Sequence, residues 1–495
     1  MNIRNLAAVM LCGLAMGVMV SCGGNDRLLD SVPADAAGVV TINTRELMKS
    51  LDGVAYGGRL TADETLDRFL SHASEPTKVQ LKALLASDAV DRGVIAGFAV
   101  KGAGASVVEM MKRGEYVYTF AVADEKKLLS QLGCSAAESL EGYDVYALDG
   151  ATLFVKGRQG WIMSGNPADN VRVLDEQLQR AANTSVLSLK GVGRYLDEND
   201  DIMRVAVSTD LAGDKGWTCA SLEVAEHGRA LEIEGKYIDI NGKEPAMDKY
   251  LKSIDLDLLD YTMPSDVFVM AVGLRPDTDW DGLMQYVQAL QPLDYRQRAL
   301  IGMIVPYLKR IDGTLMVAAG PTLEERLTKA DFSNDINFIV AVQMKKSEVA
   351  KTMSDFGDLL SMLGAPMVKR GDEYVIQVPG MAPVILRTVD GNCIVLTNRP
   401  LQQLGNDAAR KAMKGNGLAL WANIPDSVGE AVYGGRGFNL TAGLDDDFEV
   451  KFMFNGQAAP IMEQFAMIMS PDNAGGDGVS SSADDLGFTP VDTIQ

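Results

Sequence analysis

The sequence predicts an α+β protein built as two tandem related units with largely antiparallel sheets and flanking helices. Three observations lead there. Short β-branched and aromatic runs come in pairs separated by turn residues, with helical periodicities between them, which favours hairpins over regular βαβ crossovers. The stretch Ser31–Asn43 returns as Thr262–Leu274: an apolar residue, Pro, a small residue, Asp, then an apolar, partly β-branched run. The chain has 495 residues, too many for one ordinary core, and 47% of them are apolar, enough to fill more than one.

The repeated stretch reads as a turn feeding a strand. Pro33 and Pro264 fix φ and lack an N–H, so they suit the approach to a strand and not its middle. Asp35 and Asp266 can each accept from a nearby backbone N–H and tighten that turn. After the first strand, Thr44–Leu51 reads as a helix with Thr44 as its N-cap. Ala62–Leu85 carries apolar residues near helical spacing, and Pro76 divides it in two. Strands at Val94–Val100 and Tyr116–Val122 follow, then a helix at Glu125–Leu132.

The second unit takes the same order. Trp280–Leu290 reads as its first helix and Tyr295–Leu308 as the next helical stretch. Thr314–Ala319 matches Val94–Ala99, each preceded by Gly, and Phe338–Val342 matches Tyr118–Val122. Gly142–Val155 and Gly371–Leu386 read as hairpins, followed by strands at Trp161–Ser164 and Cys393–Thr397. Arg204–Ser208 corresponds to Leu418–Asn423. The last hairpins, Leu222–Asn241 and Leu440–Asn455, turn at His227-Gly228 and Asp445–Asp447, and both close on Asn-Gly, a dipeptide that tolerates positive φ. The units span residues 31–245 and 262–469. Ile461, Met462, Phe465, Ala466 and Ile468 form one side of a last helix, expected against the second unit. Residues 470–495 are Gly-, Ser- and Asp-rich and are expected to be a disordered acidic tail.

The N-terminus reads as a processing signal. Arg4 precedes an apolar run, Leu6–Val20, that is short for a membrane span. Met19-Val20-Ser21-Cys22-Gly23 resembles the lipobox of bacterial lipoproteins. The resemblance implies a signal peptide over 1–21, lipidation of Cys22 and a polar tether over 22–30. The competing reading is an ordinary secretory signal. Several acyl chains, at about 0.8 kcal/mol per buried CH₂, would hold the protein to a lipid bilayer. Gly23, where an Asp would favour retention, points by analogy to the outer membrane. The lipobox, the Val-Pro-Ala-Asp strand soon after it and the duplicated α+β body together resemble a family of Bacteroidetes lipoproteins, domain of unknown function 4836. That resemblance implies an envelope location and carries over no functional residues.

Composition and motifs exclude much chemistry. The net charge of −21 and pI near 4.6 oppose nucleic-acid binding, which requires clustered Lys and Arg. Cys134, Cys219 and Cys393 are an odd, scattered set, not a disulfide framework. His72 and His227 lack zinc-ligand spacing, no Gly-x-Ser-x-Gly flanks any Ser, and Gly102–Ser106 reads as a turn. Of the 25 Met residues, the cluster Met462, Met467 and Met469 could form an adaptable apolar binding surface but is read as part of the last packing helix. Asp197–Asp201 and Asp445–Asp447 are read as exposed turns.

One stretch suggests a metal. Asp277-Thr278-Asp279-Trp280-Asp281-Gly282 alternates Asp with a closing Gly, the first half of a calcium loop. Asp277, Asp279 and Asp281 are the candidate ligands. The twelfth position is Gln288 where a bidentate Glu is wanted, so calcium would bind only at about 10⁻⁴–10⁻³ M. The competing assignment is that Asp279 or Asp281 caps the helix that follows. No other cofactor is expected. The functional expectation is a non-catalytic envelope module that binds or scaffolds a protein or glycan. The alternatives are a hydrolase with paired carboxylates and a transport or assembly chaperone with a groove between the units.

Overall fold

The computed structural model describes residues 28–469 except 72, 74, 87, 91–93, 100–115, 135–137, 166, 199, 212–213, 245–250, 279–304, 321–336, 363–366, 372, 378–381, 434 and 457–458. Its ten N-terminal strands are β1 (Gly38–Asn43), β2 (Val94–Ala99), β3 (Tyr116–Ala121), β4 (Glu138–Leu140), β5 (Tyr143–Ala147), β6 (Ala151–Lys156), β7 (Gln159–Ser164), β8 (Met203–Leu211), β9 (Asp214–Ala225) and β10 (Ala230–Asp239). They pair antiparallel in the order β4-β5-β6-β7-β3-β2-β1-β8-β9-β10.

The ten that follow are β11 (Phe268–Leu274), β12 (Ile311–Gly320), β13 (Asn337–Met344), β14 (Met367–Arg370), β15 (Glu373–Ile376), β16 (Val384–Val389), β17 (Cys393–Thr397), β18 (Leu418–Ile424), β19 (Phe438–Leu444) and β20 (Phe448–Phe454). They pair, again antiparallel, as β14-β15-β16-β17-β13-β12-β11-β18-β19-β20, the same order with ten added to each number. β10 and β20 then pair antiparallel, Ile233 opposite Val450, and join the sets into one sheet.

Helices cover both faces of the N-terminal half of the sheet. On one face lie α1 (Thr44–Leu51), α2 (Ala62–Phe69), α3 (Glu75–Ala86) and α4 (Glu125–Leu132). Ile42, Phe120 and Ile162 of the sheet meet Leu47, Leu66, Leu84 and Leu128 there. On the other face lie α5 (Pro167–Asn183) and α6 (Val192–Asp197), where Val39, Phe98 and Trp161 meet Val171, Leu174 and Leu196. Strands buried on both faces explain why their sequences read as apolar runs and not as alternation. Full burial of one such Leu contributes about 1.5–3 kcal/mol. In the C-terminal half, α7 (Val349–Met362) covers one face through Val349 and Met353. α8 (Asp407–Met413) and the turn Leu256–Tyr261 cover the other through Met413 and Leu259. α9 (Asp426–Tyr433) links β18 to β19.

Four sequence readings are corrected. Asn43, not Thr44, caps α1: its side chain accepts from Arg45 N–H at 3.1 Å and Glu46 N–H at 3.2 Å. The polar tether ends before Leu28, because Leu28 and Leu29 are buried among Val32, Val39 and Trp161. Asp201 is not solvated: with Glu198 and Asp200 it surrounds the buried Arg204 guanidinium, at 2.7 Å, and burial lifts its carboxyl above the usual range. The last helix, α10 (Ile461–Met469), packs across the join. Ile461, Met462 and Phe465 share a core with Leu47 and Leu66, while Phe465 also stacks on Phe452 at 5.5 Å. A helix leaving β20 starts beside β10, so both halves lie within its reach.

Candidate functional site

An open depression lies at one corner of the C-terminal half, about 550 Å³ in volume. Arg370, Glu373, Arg387, Thr388, Val389 and Asp390 line it. Its charged floor follows from strand register. Arg370 on β14 lies opposite Glu373 on β15, and Glu373 lies opposite Arg387 on β16, so the three side chains share one face. Arg387 Nη1 donates to Glu373 Oε1 at 3.0 Å. Arg370 is exposed and makes no ion pair among the described residues. Asp390, at φ 53°, turns the chain from β16 towards β17.

This arrangement suits recognition of charge. A guanidinium matches a carboxylate or phosphate through paired N–H donors. A glycosidase-type hydrolysis needs one carboxyl as proton donor and a second facing it across the bond. Here Glu373 is taken up by Arg387.

The N-terminal half builds the opposite at the same place in its strand order. Leu140, Tyr143 and Lys156 stand where Arg370, Glu373 and Arg387 stand. Tyr143 is buried edge-on against Phe154 at 6.1 Å and Trp161 at 5.8 Å, with Lys156 Nζ 4.4 Å above its ring. Its hydroxyl donates to Asp175 on α5 at 2.6 Å. Burial, reinforced by that carboxylate, raises the phenol well above its ordinary pKa. The seventeen-residue α5 covers this face, whereas α8 has seven residues.

The residues singled out from sequence fall elsewhere. Cys22 lies outside the described residues, as do Asp279, Asp281, His72 and Gly102–Ser106. Asp277 is exposed beyond β11, and Thr278 beside it is buried, its hydroxyl donating to Arg275 O at 2.8 Å. Among the described residues no group of three His, Cys, Asp or Glu side chains is placed to hold a metal. His227 is exposed in the left-handed conformation of a hairpin turn, as read. Sequence reasoning passed over Arg370, Glu373 and Arg387. The signal available was only the charge at the two ends of the hairpin Gly371–Leu386, Arg370 and Glu373 at its start and Arg387 just past its end.

Elsewhere a buried carboxylate serves the fold. Glu463 on α10 accepts through Oε2 from Arg59 N–H at 2.8 Å and Leu60 N–H at 3.2 Å, fastening the helix to the loop before α2.

No protein-family model and no curated protein matches the chain. Among solved structures it is similar to TP0453 in three crystal forms. Form III gives a TM-score of 0.28 at 9% identity, covering 42% of this chain and 78% of that one. Form IV gives 0.27 at 9%, covering 42% and 80%, and form I gives 0.27 at 10%, covering 45% and 81%. Likeness at this level carries neither fold nor function across.

Proposed function

We propose that the protein is a lipid-anchored envelope lipoprotein whose internally duplicated α+β body is a non-catalytic binding and scaffolding module. The observation that carries this reading is the strand order: β11–β20 repeat the order of β1–β10, and the two sets meet edge to edge in one sheet. A continuous sheet with helices on both faces of its outer strands offers a long platform, and its corner cleft offers charge recognition. The anchor reading rests on the lipobox around Cys22. Five residues lie between Cys22 and the buried Leu28, so the body would sit within about 20 Å of the bilayer.

Two measurements test this. Cys22→Ser should abolish acylation and leave an unprocessed or soluble product; a mature, detergent-phase protein in that variant would refute the anchor. The purified protein should bind an envelope protein or glycan saturably without consuming it. Turnover of an envelope glycan or peptide that is lost on substituting a pair of carboxylates would replace the binding module with an enzyme.

A further inference from the structure

We propose that copies of this chain join head to tail, β4 of one copy pairing antiparallel with β14 of the next, so that the sheet continues from molecule to molecule. The inference deepens the scaffolding reading by naming a partner, a second copy of the chain. Among the described residues β4 pairs only with β5, and β14 only with β15. Among the described residues, then, each end of the sheet presents backbone N–H and C=O groups with no strand partner, the feature through which another strand can add.

Register limits the pairing to those that keep each face continuous, and charge selects one of them. From Glu138, directly opposed residues run across the sheet through Val145, Phe154, Trp161, Thr119, Ala96, Thr41, Arg204, Ser221 and Glu234. The line continues through Glu449, Gly443, Ala419, Ala271, Met316, Ala341, Val395, Arg387 and Glu373 to Arg370. Opposed residues share a face, so Glu138 and Arg370 project from the same side of the sheet at its two ends. Placing Glu138 of one copy opposite Arg370 of another continues this line without a step. Ser139 then faces Lys369, and Leu140 faces Val368.

Hydrogen-bond parity agrees. Two residues separate Leu140 from Tyr143 and Arg370 from Glu373, and a two-residue turn closes on a hydrogen-bonded pair. Leu140 and Arg370 thus direct their backbone groups inward, and Ser139 and Lys369 direct theirs outward. In the proposed register Ser139 and Lys369 form the hydrogen-bonded pair. Glu138–Arg370 and Leu140–Val368 become non-hydrogen-bonded pairs, the kind whose side chains approach most closely.

The chemistry is complementary. Glu138 and Arg370 are exposed and neither makes an ion pair among the described residues. Val368 is 53% exposed, and Leu140 is half-buried on the same face as Glu138. Pairing β14 with its own copy would instead set Lys369 against Lys369. The heterologous contact is favoured, and such contacts build rings or open chains. Two strands of three and four residues form a small contact, so association is weak and concentration-dependent.

The test uses the full chain in detergent. Glu138→Cys protein is mixed with Arg370→Cys protein under mild oxidation. Non-hydrogen-bonded neighbours sit about 4.5 Å apart at Cα, within disulfide range. A covalent heterodimer is expected, with a ladder of oligomers from the double variant. Neither single variant should exceed the unsubstituted chain. Adding Lys369→Pro, which removes the outward N–H on an exposed edge, should cut the yield at least tenfold while circular dichroism stays unchanged. No heterodimer over the unsubstituted background, equal yield with Lys369→Pro, or homodimers from Glu138→Cys alone would each overturn the proposal. Because the reaction is run in detergent, failure of the anchor reading leaves this result unaffected.

Discussion

Asp35 and Asp266 stand at the same place before β1 and β11, and each meets an arginine that follows the seventh strand of its own set. Asp35 pairs with Arg180 at the surface, the side chains 52% and 30% exposed. Asp266 pairs with Arg399 at 0% and 4% exposure, through both guanidinium Nη atoms. Asp266 also accepts from Met263 N–H at 2.8 Å, the turn-tightening bond expected from the sequence. The preceding turns are alike: Ser31 Oγ donates to Leu28 O at 2.6 Å, and Thr262 Oγ1 donates to Leu259 O at 2.6 Å. The lesson is that one local motif can carry a surface ion pair or a buried one, depending on what covers it. The corner faces invert this pattern. The N-terminal half buries Tyr143 under α5, and the C-terminal half leaves Arg370 open beside a cleft.

The largest expected effect separates the two ion pairs. Arg399→Ala should destabilise by about 3–5 kcal/mol, because it strands a buried carboxylate. Arg180→Ala should cost less than about 1 kcal/mol, as exposed pairs do. Urea unfolding of both variants checks this, and equal midpoints would erase the distinction. The corner faces give the next effect. Tyr143→Phe should cost about 1.5 kcal/mol, the low end for a hydrogen bond to a charged group. Glu373→Gln should stay under about 1 kcal/mol, because its pair with Arg387 is half-exposed. A loss at Glu373 as large as that at Tyr143 would mean the cleft is structural.

The smallest effect lies in the thiols. Burial pushes the Cys219 thiol on β9 up to about 12 and the Cys393 thiol on β17 up to about 11, from an ordinary 9.0. The folded state therefore favours the neutral thiol. That contribution is complete below pH 9.0, where the unfolded chain is also protonated, and fades as pH rises through about 11 for Cys393 and about 12 for Cys219. Alkylation of the native protein at rising pH should modify the half-buried Cys134 first, then Cys393, then Cys219. Reaction of Cys219 as early as Cys134 would contradict the burial of that strand.

Much of the fold was legible because its signals are local. The helices Thr44–Leu51 and Glu125–Leu132 and the hairpins turning at His227-Gly228 and Asp445–Asp447 lie where spacing and turn residues place them. The longest described helix, Pro167–Asn183, carries only a weak local signal. Val171, Leu174, Leu178 and Ala181 carry helical spacing behind a Pro at its first turn, but charged and amide residues between them dilute the pattern. The cleft was not legible, because its charges lie on three strands and converge only through register.

The sequence by itself determined the alternation of strands and helices, the two Pro-x-Asp approaches and the apolar content of each strand, since all three are set within a few residues. Tertiary structure decided the antiparallel seam between β10 and β20, the docking of α10 against α1 and α2, and the burial of Asp266 against the exposure of Asp35. Those outcomes depend on groups far apart in the chain, where Asp266 meets Arg399 and Glu463 meets Arg59. A local pattern fixes which face of an element is apolar. Only packing selects the surface that covers it, and with it whether a charge ends in water or in the core.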